Sequence, residues 1–505
     1  MKYQKHSFVF NLFLCLIPSL AFGQWNLDNA YTPVTEVSLD HYASVQDLPG
    51  QNPELCLGLA VSGGGSRAQY FGTGVLMELS QLNNQAGENF LSEIDYYSTV
   101  SGGGYSIGYY MMVRKIGLLD TQSYFDYWKS EIPYHPEGLQ SFVFMPASKF
   151  TTLKLFSYER RKKYKNSFPY KVDFDLLKAG SYRSYLDTTV EQIHLGSFFQ
   201  KKCDTCVAQL PIFVANTTIY PNCERLPLMP HIISDLKIDK SITPKCKFDD
   251  DSGYTFPLAF AIAASSAVPG VLPIQRFGFS NSDLSIRVMD GGVVDNLGFR
   301  TLFELLLADK SAPKDKRMLI IDCSGLGYRN RYSDQNKKIK LFELLKNSSF
   351  FTVESKNLIA EETINSLEKA NNIPEENDLV LGMQHIREKI KNDLTDAERK
   401  QLDKYRKRWK ITEKLKNSVF EDMYLELARS YDVPTTKKDP PVRLGSGITS
   451  MKLLNSSNLQ KALIYEMASH VITKVKIDEW EQEVLMLAGR LLVCENSGAI
   501  LKLLD

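Results

Sequence analysis

The sequence predicts an α/β protein built on a parallel sheet, and three observations carry that expectation. From Leu55 onward, short apolar runs alternate with helix-patterned segments. Two of these runs end directly in glycine-rich turns that precede helices, at Gly63–Gly65 and at Ser101–Gly104. Composition is that of a globular chain, 43% hydrophobic and 24% charged over 505 residues, with room for two or three domains.

The first residues read as a leader rather than as part of the fold. Lys2, Lys5 and His6 precede an apolar stretch from Phe8 to Phe22, and Ala21-Phe22-Gly23 offers a cleavage site before Gln24. An uncleaved anchor is the competing reading, but Asn11 and Pro18 interrupt a stretch already short for a bilayer. Residues 1–23 are therefore expected to export the chain to a periplasmic, outer-membrane-associated or secreted location. No other stretch reads as long and apolar enough to span. The formal net charge of +1 gives no overall attraction to nucleic acid.

Residues 24–54 read as an irregular lead-in. Leu55–Val61 then reads as a buried strand, followed by the Gly63–Gly65 turn and a helix to about Leu82. A second strand is expected over Ile94–Val100, a turn over Ser101–Gly104, and a helix from Tyr105 to Lys115. Residues 120–250 are aromatic, basic and weakly periodic, which predicts an insertion. Cys203, Cys206, Cys223 and Cys246 cluster there; in an exported chain they are expected to form two disulfides, with a zinc site the alternative. Within residues 139–170, aromatics such as Phe142, Phe156 and Tyr164 interleave with Lys149, Arg160, Arg161, Lys162 and Lys163. That pattern suits peripheral contact with an anionic lipid surface, or a solvated insertion with its own small core. Arg317–Asp322 reads as another strand. Residues 336–505 read as a helical region, with a capping box at Thr395–Glu398 and an amphipathic helix over Ile477–Val493.

Three blocks carry chemistry. The first is Ser62-Gly63-Gly64-Gly65-Ser66-Arg67, between a strand and a helix, where backbone N–H groups can converge on a negative oxygen. It imitates a dinucleotide fingerprint, but the following strand ends in Thr99-Val100-Ser101 with no acid for a ribose. It also imitates a phosphate loop, with Gly64 and Gly65 standing where Lys and Ser/Thr are needed. The second block, Tyr97–Gly104, places Ser101 at a strand-to-helix turn with three glycines after it, as a nucleophile elbow does. Thr99 departs from the usual G-x-S-x-G. The third block is Asp290-Gly291-Gly292 after an apolar run; its carboxylate suits a general base, a metal ligand or a structural turn.

Taken in order, Gly64-Gly65-Ser66-Arg67, Ser101-Gly102-Gly103, Ala263–Pro269 and Asp290-Gly291-Gly292 resemble the patatin-like phospholipase family, over roughly residues 55–325. The resemblance implies a three-layer α/β/α sandwich with a catalytic domain over 55–335, no cofactor and no metal, and a phospholipid or other lipid-ester substrate. It implies Ser101 as nucleophile, Asp290 as base, the Gly63, Gly64 and Gly65 amides as oxyanion hole, and Ser66 and Arg67 as their support. Glycine N–H groups beside Asp290 are expected to favour its ionised form. A Ser–Asp–His triad would have only His385 and His470 after Asp290, both in helix-like stretches. A different ester substrate, or an inactive binding domain, are the other readings the residues allow.

Overall fold

Leu55–Val61 is buried along its whole length and forms strand β1 in the interior of the sheet in the computed structural model. The structure describes residues 52–115, 211–242, 245–247, 258–268, 274–308, 315–323, 378–383, 394–411, 416–433, 444–471 and 477–505, with single positions between. The leader, residues 139–170, Cys203, Cys206 and His385 lie outside them.

After β1 come helix α1 (Gly65–Leu79), β2 (Ile94–Val100) and α2 (Gly102–Lys115). Then follow β3 (Ile212–Ile219), β4 (Glu224–Leu228), α3 (Pro230–Asp235), β5 (Ile238–Ile242) and β6 (Lys245–Lys247). Next are α4 (Leu258–Ser265), β7 (Gln275–Phe279), β8 (Ser285–Asp290), α5 (Phe299–Ala308), β9 (Asp315–Asp322) and β10 (Asp378–Gly382). The chain ends in α6 (Asp396–Ile411), α7 (Lys416–Ser430), α8 (Leu444–Gly447), α9 (Ser450–Leu454), α10 (Asn458–His470) and α11 (Glu479–Leu501).

The sheet runs β10-β9-β1-β2-β3-β8-β7-β5-β6, with β4 added alongside β3. From β10 to β3 the pairing is parallel. Beyond β3 it is antiparallel, so the sheet is mixed where the sequence predicted a parallel one. Alternation along β1 separates the covering layers. Gly58 abuts Leu302 of α5 on one face, and Val61 meets Gly72 of α1 on the other. A sheet with helices on both faces is the expected three-layer α/β/α arrangement.

Several boundaries differ from the sequence reading. Strand β3 lies within the 120–250 stretch expected to be an insertion, yet it is a core strand. All eight of its residues are buried, yet Asn216, Thr217 and Thr218 make it read as polar. Thr217 Oγ1 donates to Leu226 O at 2.7 Å and Thr218 Oγ1 to Asp290 O at 2.9 Å, so these hydroxyls are satisfied inside the sheet. Helix α2 begins at Gly102, taking the elbow glycines into its first turn. The C-terminal region is not wholly helical, since β10 extends the sheet beside β9. Cys223 is an exposed thiol, and Cys203 and Cys206, with which it was expected to share two disulfides, lie outside the described residues.

Helix α11 also departs from its predicted amphipathic pattern. Trp480–Leu501 is long and apolar enough to cross a bilayer, contrary to the reading that no further stretch is. It is mostly buried, packed on α1. An added Cβ at Gly74 would lie 2.0 Å from Met486 O, and one at Gly489 would lie 2.2 Å from Phe71 O, so the two backbones touch. Arg490, fully buried, pairs with Glu78 of α1 at 2.9 Å and donates to Gly445 O and Ile448 O. The Thr395–Glu398 capping box forms as predicted.

Candidate active site

Strand β2 stops pairing with β3 at Val100, opposite Asn216, and Ser101 turns the chain into α2. It does so with φ 48, a left-handed conformation that costs a non-glycine residue about 1–3 kcal/mol. The surroundings hold it there. Ser101 N donates to Ser265 Oγ at 2.9 Å, and Ser265 Oγ donates in turn to Asn216 O at 2.6 Å. Gly102 must be glycine, because a Cβ there would lie 2.0 Å from Gly65 O. The elbow and the first glycine-rich turn are thereby pressed together.

Thr99, the departure from the elbow pattern, is buried in β2. Its hydroxyl donates to Val214 O at 3.1 Å, within the sheet.

The Gly63–Gly65 turn lies beside the serine: a Cβ at Gly63 would be 3.3 Å from Ser101 Cβ. Its three amides are not equivalent. Gly63 is buried and its N–H donates to Asn296 O at 2.9 Å, so that amide is already engaged within the protein. Gly64 and Gly65 are half-exposed at the N-terminus of α1, where first-turn N–H groups have no carbonyl within the helix. Ser66 is half-exposed in the same turn. Arg67 is buried and anchors the segment, its Nε donating to Cys323 O at 3.2 Å at the end of β9. Ser62 Oγ accepts from Cys323 N at 2.8 Å and adds a second tie.

Asp290 ends β8, and the structure brings it to Ser101. Its Oδ1 accepts the Gly292 N–H at 2.8 Å, while Oδ2 is buried with no completed hydrogen bond among the described residues. Burial pushes its pKa from 3.8 up to about 6; the nearby Ser101 hydroxyl and the Gly292 N–H pull the other way. The glycine N–H expected to favour the ionised form is present, but desolvation outweighs it. Tyr105 on α2 is also buried, and its phenol is held neutral by that burial, with the Asp290 charge acting in the same direction. His470 sits at the exposed end of α10, its Nδ1 against Glu466 O at 2.6 Å. Among the described residues no group of His, Cys, Asp and Glu side chains is arranged to hold a metal ion.

Three contributors carry no role in the sequence reading. Asn216 is a polar residue in an apolar strand, Asn296 lies in the third block beside Asp290, and Ser265 lies in the Ala263–Pro269 stretch. The signal available was an amide in the middle of Ile-Phe-Val-Ala-Asn-Thr-Thr-Ile, which a core strand tolerates only when its hydrogen bonds are met.

Residues 59–303 match the family described as patatin-like phospholipase. No curated protein matches the chain in sequence. Among solved structures, the chain is similar to human GIVD cytosolic phospholipase A2 at 12% identity and TM-score 0.37, covering 89% of this chain and 60% of that one. The same enzyme with methyl gamma-linolenyl fluorophosphonate and terbium chloride gives TM-score 0.34 at 12% identity, covering 90% and 59%. VipD from Legionella pneumophila gives TM-score 0.27 at 12% identity, covering 67% and 64%. The chain thus spans about three fifths of the length of the human enzyme.

Proposed function

From the patatin-like phospholipase domain at residues 59–303, we propose that this chain is a lipid acyl-ester hydrolase of phospholipase A or lysophospholipase type, working through a Ser101–Asp290 dyad. The observation that carries the reading is the pairing of a strained serine with a buried carboxylate. Ser101 stands at φ 48 at the strand–helix junction, and the buried Asp290 carboxylate, on which the Ser101 hydroxyl acts, leaves Oδ2 without a completed hydrogen bond among the described residues.

In this reading Ser101 Oγ attacks the ester carbonyl as its proton passes to Asp290. The carbonyl oxygen, now negative, rests against the turn at Gly64 and Gly65, where the α1 N-terminus favours charge. Collapse breaks the bond to the leaving alcohol, which takes the proton from Asp290 and departs. Water then attacks the acyl-serine, giving its proton to Asp290, and the released Ser101 recovers that proton as the fatty acid leaves. Gly63 serves here to hold the turn to Asn296, and Arg67 to hold it to β9. No histidine takes part.

The same proposal assigns residues 139–170 to contact with the lipid surface and residues 1–23 to export, with Gln24 as the mature N-terminus. The deciding experiment measures acyl release from mixed phospholipid vesicles and from a short soluble ester, at low and high salt. Wild type is expected to hydrolyse both, with salt reducing only the vesicle rate, because the screening length falls to about 8–10 Å near physiological ionic strength. Ser101→Ala and Asp290→Asn are each expected to lose several orders of magnitude on both substrates. Either variant retaining near-normal rates with a native circular dichroism spectrum would refute the dyad. A vesicle-to-ester ratio indifferent to salt would refute the surface assignment alone.

A further inference from the structure

Strand β3 lies between the strands that deliver the two halves of the dyad. Val100, immediately before Ser101, pairs with Asn216; Asp290 pairs with Thr217, the next residue along. The Asn216 side chain reaches back into β2, its Nδ2 donating to Ser98 Oγ at 2.9 Å and to Thr99 O at 3.1 Å. The backbone carbonyl oxygen of Asn216 accepts from Ser265 Oγ at 2.6 Å, and Ser265 Oγ accepts the Ser101 N–H at 2.9 Å. Gly291, beside Asp290, packs on the same carbonyl: a Cβ there would lie 2.2 Å from Asn216 O. Both Asn216 and Ser265 are fully buried.

On the dyad reading, we infer that Ser265 and Asn216 are positioning residues that hold Ser101 in its left-handed conformation at a set distance from Asp290. Left-handed φ at Ser101 swings its N–H off the β2–β3 ladder, where it would otherwise be a buried donor with no acceptor. The Ser265 hydroxyl is that acceptor, and it can serve only while its own proton is directed at Asn216 O. One carbonyl of β3 therefore references the nucleophile, through Ser265, and the base, through Gly291. Neither side chain touches the reacting atoms. Their effect falls on where Ser101 Oγ sits, and displacements near 1 Å cost on the order of a hundredfold in rate.

Ser265→Ala removes one atom and leaves both the Ser101 N–H and Asn216 O unanswered in a dry site. The test is labelling by a fluorophosphonate, read as both rate constant and stoichiometry, together with kcat and KM on a short soluble ester per titrated site. Ser265→Ala is expected to label one site per chain, with labelling rate constant and kcat both reduced about 10- to 100-fold and KM within about threefold. Ser265→Thr, which restores the hydroxyl, is expected to regain most of the loss. A wild-type rate constant in Ser265→Ala overturns the inference. So does a reduced number of labelled sites that react at the wild-type rate, since that is the mark of a residue that only supports folding. The parent reading has its own control. Full hydrolysis by Ser101→Ala would refute the dyad itself, whereas an inert Ser101→Ala beside an unaffected Ser265→Ala would remove only this inference.

Discussion

A carboxylate serving as base without a histidine must be ionised when it acts, and Asp290 has burial working against that. Its value of about 6, against 3.8 ordinarily, puts the change of state in an accessible range. Below about pH 6 the group is protonated and cannot accept the serine proton. The soluble-ester kcat/KM is therefore expected to rise about tenfold per pH unit up to that region and then level off. An acid limb near 4 in the pH–rate profile would contradict the assignment of Asp290 as a buried base. The stability consequence has the opposite sign. The folded protein holds this proton more tightly than the unfolded chain does, so the ionised carboxylate costs stability, increasingly from about pH 4 and fully above about pH 6. Asp290→Asn is thus expected to be inactive yet more resistant to urea at pH 8, by at most about 2–3 kcal/mol. The structure keeps an unfavourable charge where the proposed chemistry needs one.

At the scale of elements, α1 carries the glycine-rich turn at one end and is braced along its length by α11. The brace combines backbone contact at Gly74 and Gly489 with the Glu78–Arg490 pair, whose members are 6% and 0% exposed. A buried pair of this kind punishes loss of one partner, because the other charge is left without compensation. Arg490→Met is expected to destabilise the protein by about 3–5 kcal/mol in urea denaturation, with Glu78→Met/Arg490→Met recovering part of it. The exposed Arg300–Glu304 pair on α5 is the contrast, at 64% and 34% exposure; breaking it is expected to cost less than about 1 kcal/mol. A stability for Arg490→Met within 1 kcal/mol of wild type would show that glycine-mediated packing alone holds the two helices.

For the molecule as a whole, the legible parts were those where local pattern and burial agree. Leu55–Val61, Ile94–Val100 and Arg317–Asp322 are short apolar runs ending in turns, and each is a strand of the parallel half. Ser101 and Asp290 stood out in the sequence because glycines follow each of them, and close packing demands glycine at Gly102 and Gly291. Strand β3 was hidden by Asn216, Thr217 and Thr218, whose partners come from β2, β4 and β8 and are invisible in a single segment. Strand β10 is short, and α11 reads as one-sided until α1 and the α8–α9 segment cover its other faces. Gly63 shows the limit at the glycine turn: the sequence does not reveal that its N–H is taken by Asn296 O. The dyad is tested most directly by mapping the adduct of a fluorophosphonate on the intact chain and its peptides. The account predicts one adduct per chain, on the peptide bearing Ser101, forming far more slowly in Asp290→Asn. Vesicle hydrolysis accompanied by an adduct on any other residue, or by labelling of Ser101 at an undiminished rate in Asp290→Asn, would contradict it.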